Sequence, residues 1–94
     1  MPPQPRSEQA EAIALHALAY ILSDEDLLTR FLALTGCDGD SLRRNASDPA
    51  FLGAVLDFVL EDDRHVVAVA QAAEINPEMV IVARSALPGA ANSW

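Results

Sequence analysis

The side chains here that are able to do chemistry are fourteen carboxylates, two histidines (His16 and His65), one cysteine (Cys37) and six arginines; lysine is absent. Carboxylates clustered with His or Cys would hold a metal, and a Cys–His pair would supply a nucleophile and its base. The spacing favours neither. No Cys or His lies at zinc-ligand spacing from His16 or His65, and a dyad of Cys37 with either histidine would have to be assembled by the fold. Asp38-Gly39-Asp40 opens like a calcium loop, but Arg43 stands where that loop needs glycine and Pro49 where it needs glutamate. Glu61-Asp62-Asp63 is the one run that could attract a weak cation. Most other carboxylates (Glu8, Asp24, Glu25, Asp26, Asp38, Asp40, Asp48 and Glu78) fall where a helix should begin. There each contributes about 0.3–1 kcal/mol through the helix dipole, which explains the acidity without a site. No glycine-rich phosphate loop or nucleophile motif occurs. The expectation is a protein that is not an enzyme, with no catalytic residue, no metal ligand, no cofactor and no small-molecule substrate.

Nucleic-acid binding is the alternative. Residues 27–42 and 65–80 each read as helix, tight turn and second helix, and they align without a gap at an offset of 38 positions. The spacing is that of a helix-turn-helix, and Arg30, Arg43 and Arg44 would be its contacts in the first copy. In the second copy Glu74 replaces the turn glycine, Gly36, and the would-be reading helix offers Glu78, Met79, Ile81 and Val82. Such residues cannot hold phosphates. Asp38 and Asp40 would also face the duplex in the first copy. The net charge of −8 opposes binding to a polyanion, whether nucleic acid or anionic membrane. DNA regulation is therefore the minor reading.

The elements that must position these residues are helical. Residues 1–6 form a Pro-rich leader. Ser7 reads as the cap of a first helix, running to about Leu22, whose apolar residues on nearly all sides predict burial. Ser23-Asp24-Glu25-Asp26 signals a second start with Ser23 as cap, and Leu27, Leu28, Phe31, Leu32 and Leu34 follow as its apolar face. Gly36 should end that helix in the left-handed conformation, with Cys37 as the apolar contact just beyond and Asp38 capping a short third helix. Asp48-Pro49 and Asn76-Pro77 each place a cap before a proline at the first helical position, opening the fourth and sixth helices. The fourth carries the stripe Leu52, Val55, Leu56, Val59 and Leu60. Glu61-Asp62-Asp63 opens the fifth. On the sixth, Val80, Ala83 and Leu87 define the inward stripe. The fold class expected is all-α, six short helices arranged as two pseudo-repeated, helix-turn-helix-like halves (7–47 and 48–88) of one domain, 7–88. The halves pack around the first and fourth helices, and a flexible tail follows at 89–94.

The offset also shows where the halves differ. Arg43 and Arg44 are matched by Ile81 and Val82, and Thr29 by Val67. The second half thus carries apolar residues that its own core does not require. They either pack on the first half or under Trp94, or remain exposed, in which case Val67, Met79, Ile81 and Val82 are the expected interface for another protein or a second copy. A single cysteine fits a reducing compartment, the N-terminus lacks the apolar core of a signal peptide, and no apolar run approaches the roughly 20 residues of a membrane span. A cytoplasmic location follows as the expectation.

Glu11-Ala12-Ile13-Ala14-Leu15, Phe31-Leu32-Ala33-Leu34-Thr35-Gly36, residues 48–57 (Asp48-Pro49-Ala50-Phe51 through Asp57) and Ala83-Arg84-Ser85-Ala86-Leu87-Pro88-Gly89 together resemble a small helical family common in alphaproteobacteria. That family is known as a domain of unknown function, and the resemblance spans roughly residues 8–89. It implies a bacterial cytoplasmic protein and brings no activity or site residues with it. A non-catalytic protein–protein interaction module, self-associating or binding another protein, is the function expected.

Overall fold

The computed structural model of the chain describes residues 7–87, with Ser7 described by its backbone alone. The leader 1–6, the last residue of the expected domain and the tail 89–94 lie outside the described residues. Six helices account for the described fold: α1 (Ser7–Leu22), α2 (Glu25–Thr35), α3 (Gly39–Asn45), α4 (Pro49–Leu60), α5 (Asp63–Ala73) and α6 (Pro77–Ser85). The class is all-α. Among these residues no single helix is long and apolar enough to cross a membrane.

Local chemistry sets the boundaries. The Asp38 side chain accepts from the Ser41 amide at 2.8 Å, Asp48 from Ala50 at 3.0 Å and Asp62 from Arg64 at 2.9 Å, each answering a backbone donor that the helix leaves open. Two cap expectations need correction. The cap of α2 is Asp24, whose Oδ1 accepts from the Asp26 and Leu27 amides, while Ser23 instead donates its hydroxyl to the Tyr20 carbonyl as α1 ends. Asn76 has the backbone of a cap but makes no side-chain cap bond.

Gly36 closes α2 at φ 73°, its amide donating to the Leu32 carbonyl. Thirty-eight positions on, Glu74 closes α5 in the same left-handed region at φ 59°. A side chain with a Cβ is strained there and glycine is not. Glu74→Gly should therefore raise stability by about 0.5–1 kcal/mol, the relief of left-handed strain less the entropy that glycine adds to the unfolded chain. A urea titration checks this, and a loss of stability would mean that the Glu74 side chain holds the turn.

The core lies where α1 and α4 cross and where α5 and α6 close over them. Helix α1 packs on α2, α4, α5 and α6, and α4 packs on α1, α5 and α6. Ala10, Ala14, Ala17 and Ile21 of α1 and Val55, Leu56 and Val59 of α4 are wholly excluded from solvent. Val80 and Ala83 are fully buried and Leu87 nearly so, as the spacing on α6 predicts. Helices α3 and α6, counterparts under the offset, differ in packing. Helix α6 lies against α1, α4 and α5, whereas α3 contributes the single buried side chain Leu42.

Helix α1 departs from the expectation of burial all round. Leu15 and Leu22 are each 46% exposed, and Ala12 and Ala19 lie on the same solvent-facing stripe. A chain this short has too few helices to enclose its central one on every side.

Candidate functional site

The site is built by α2 and α4. The two helices splay apart and leave a groove of about 450 Å3 between them, lined by Phe31, Leu34, Thr35 and Cys37 from one side and Phe51, Ala54, Asp57, Phe58 and Glu61 from the other. Three aromatic rings make its floor. Phe31 meets Phe51 at 5.8 Å and Phe58 at 5.4 Å between ring centres, both edge to face, the arrangement that sets a positive ring edge against a negative ring face. Phe31 is wholly buried, and Phe51 and Phe58 are nearly so.

The lip of the groove is Leu34, which is 65% exposed. This corrects its reading as part of the core-facing stripe of α2. Leu27 and Phe31 take the buried side of that helix, and Leu34 faces the open groove. Cys37 is a free thiol, partly buried and packed against the core beyond Gly36, as expected of an apolar contact after a glycine cap. At the other rim Asp57, in the last turn of α4, and Glu61, its C-terminal cap residue, sit one turn apart. Among the described residues lining the groove there is no arginine.

Asp57 is already paired within the fold. Arg84, only 8% exposed, donates from Nε to Asp57 Oδ1 at 2.6 Å and from Nη1 to the Leu87 carbonyl at 3.1 Å. The charge-assisted bond ties α6 to the groove-bearing face of α4. Sequence reasoning does not reveal it, because 27 positions separate the partners. The groove itself does have a signal in the sequence. Phe51, Ala54 and Phe58 recur at helical spacing beside the stripe of Leu52, Val55, Leu56 and Val59, so α4 is apolar over a wider arc than a one-sided helix.

The residue types associated with catalysis are dispersed. Cys37 lines the α2–α4 groove, whereas His16 lines a smaller one of about 240 Å3 with Gln9, Ala12, Ile13, Ala73, Ile75 and Met79. His65 is held elsewhere. The Tyr20 hydroxyl and His65 Nδ1 are 2.9 Å apart, with the rings 5.6 Å between centres, and His65 Nε2 stands 3.8 Å from Asp62 Oδ2. Hydrogen bonds from the Arg64 guanidinium, then from its backbone amide, hold the Asp62 carboxyl down at about 2. This phenol–imidazole–carboxylate series joins α1 to α5, and the residues lining the two grooves do not include any of its members. Among the described residues no group of three or more His, Cys, Asp or Glu gathers to hold a metal ion, Glu61-Asp62-Asp63 included.

The interface expected on the second half is divided. Val67 is 43% and Ile81 59% exposed, but Val82 is half-buried, and Met79 packs against the core and lines the His16 groove. Met79 and Ile81 are two positions apart on α6 and so project about 160° from one another, which prevents them from sharing a face. Arg30, Arg43 and Arg44 are all exposed, the latter two in the last turn of α3. Arg44 donates to the Ser41 hydroxyl at 3.4 Å, and Asp38 and Asp40 share that short helix and its start.

The chain belongs to the family described as a protein of unknown function (DUF3572), whose model matches residues 7–90. No curated protein and no solved structure matches the chain.

Proposed function

We propose that this protein is a non-catalytic interaction module of the bacterial cytoplasm, and that it works by holding another polypeptide in the groove between α2 and α4. The carrying observation is the groove with its three-phenylalanine floor and Leu34 at its lip. A concave apolar surface bounded by a few polar groups is the usual form of a binding site, and an apolar side chain left in water gains most when a partner covers it. The dispersal of Cys37, His16 and His65 supports a binding role over a catalytic one. A single thiol fits a reducing compartment.

A photo-reactive amino acid in place of Leu34 tests the reading in the cells that make the protein. The expected result is one discrete cross-linked polypeptide, lost when Ala54→Arg puts a charge across the groove, and not formed from the same reagent at Leu15. A product of twice the chain mass would identify a second copy as the partner. Cross-links from Leu34 that are absent, or that survive Ala54→Arg, would remove the groove as the working surface.

A further inference from the structure

We infer that the occupant of the α2–α4 groove is an amphipathic helix that carries basic residues beside its apolar anchors. This rests on the reading of the groove as a polypeptide-binding surface and assigns the chemistry of the partner. Three observations carry it. The floor and lip are apolar, from Phe31, Phe51, Phe58, Ala54 and Leu34, so the anchors must be apolar as well. On one rim Glu61 makes no ion pair among the described residues, whereas Asp57 beside it is paired with Arg84, and Arg30, one turn before Leu34 on α2, is not part of the lining. The groove follows α4 from Phe51 to Glu61, ten residues and so about 15 Å, which is three turns of a helix laid along it.

A helix in such a groove is read through anchors at i, i+3 or i+4, and i+7, and three turns present that set once. The rim then selects the polar edge of the ligand. A lysine or arginine beside the anchors would face Glu61, whereas an acidic edge would meet its like charge in a partly desolvated setting. The same argument disfavours a second copy. A chain with net charge −8, no lysine and fourteen carboxylates brings mostly acid to an acidic rim. Residues 88–94, Pro-Gly-Ala-Ala-Asn-Ser-Trp, contain no base to answer it.

The test uses three fluorescein-labelled 14-residue helical peptides with the same leucine anchors and with lysine, glutamine or glutamate at the flanking positions, titrated with the full chain. Binding is followed by anisotropy and, independently, by the rate at which a small maleimide alkylates Cys37, the only thiol in the protein. The lysine peptide is expected to bind at least ten-fold tighter than the glutamate peptide and to slow alkylation. The gap should shrink several-fold in 1 M salt and by two- to five-fold in Glu61→Gln, and binding should vanish in Ala54→Arg and in Leu34→Arg. The thermal melt of each variant confirms that it is folded. Leu34→Arg, at an exposed position, keeps the test decisive if Ala54→Arg unfolds. Equal binding of all three peptides with protection of Cys37 would overturn the basic partner and leave the groove standing. No binding of any peptide and no protection would overturn both readings. Lysine-peptide binding that persists in the folded arginine variants would mean general attraction to an acidic protein and would overturn the proposal. A concentration-dependent dimer abolished by Leu34→Arg would replace the basic helix with a second copy.

Discussion

Phe31→Ala should cost about 3–5 kcal/mol, the largest effect of any single substitution near the groove. The side chain is wholly buried, makes both edge-to-face contacts of the floor and lies at the base of a helix that touches the rest of the fold mainly through α1. Its removal deletes the apolar contact area and leaves a space that Phe51 and Phe58 cannot both fill, since each is anchored on α4. A domain of this size has about 5–15 kcal/mol in all, so the variant should be partly unfolded at room temperature. Leu34→Ala, three residues on, should change stability by no more than about 0.5 kcal/mol, because Leu34 is 65% exposed. Urea unfolding followed by circular dichroism measures both. Equal effects at the two positions would mean that the groove closes in solution and buries Leu34. A loss below about 1 kcal/mol at Phe31 would mean that the floor repacks.

Asp57→Ala comes second, at about 2–3 kcal/mol. Its carboxylate is the partner of Arg84 Nε, and the arginine side chain is 10% exposed against 41% for Asp57. Deleting the acid leaves a guanidinium largely cut off from water with one bond fewer. Fully buried pairs broken in this way cost about 3–5 kcal/mol, and hydrogen bonds to charged groups about 1.5–3. The partial exposure of Asp57 lets water into the gap and places the effect toward the lower figure. Arg84→Met should cost less than about 1.5 kcal/mol, because it removes the charge that needs a partner and keeps the apolar stem, while the aspartate it leaves behind can be solvated. The inequality between the two variants, measured by urea unfolding at pH 7, is the result to look for. If Arg84→Met costs as much as Asp57→Ala, the packing of the stem and the bond to the Leu87 carbonyl, rather than the charge, hold this corner together.

What the sequence determined by itself is local. Caps, starts and stops depend on a few neighbouring residues: Asp38, Asp48 and Asp62 bind amides two or three positions ahead, and Gly36 turns the chain at its own φ. The inward stripe of α6 is legible for the same reason, since Val80 and Ala83 share a face of one helix whatever lies opposite, while Leu87, also buried, lies just beyond the helix end at Ser85. The ends of α2 and α5, with the left-handed turns at Gly36 and Glu74, lie 38 positions apart, but the likeness stops there, since α3 and α6 pack differently.

Only the tertiary structure decided which apolar residues are covered, because burial is a property of the neighbour and not of the residue. Leu34 belongs to the apolar pattern of α2 as fully as Phe31 does, yet Phe31 meets two rings of α4 and Leu34 stands exposed at the lip of the groove. Leu15 and Leu22 are exposed because, among the described residues, no helix crosses that side of α1, and Met79 is drawn inward by α1 while Ile81, two positions on, is not. The bonds joining Tyr20 to His65 and Asp57 to Arg84 span 45 and 27 positions, separations at which no sequence pattern fixes a pair. The groove, which is a gap between two helices, exists only once their crossing is set.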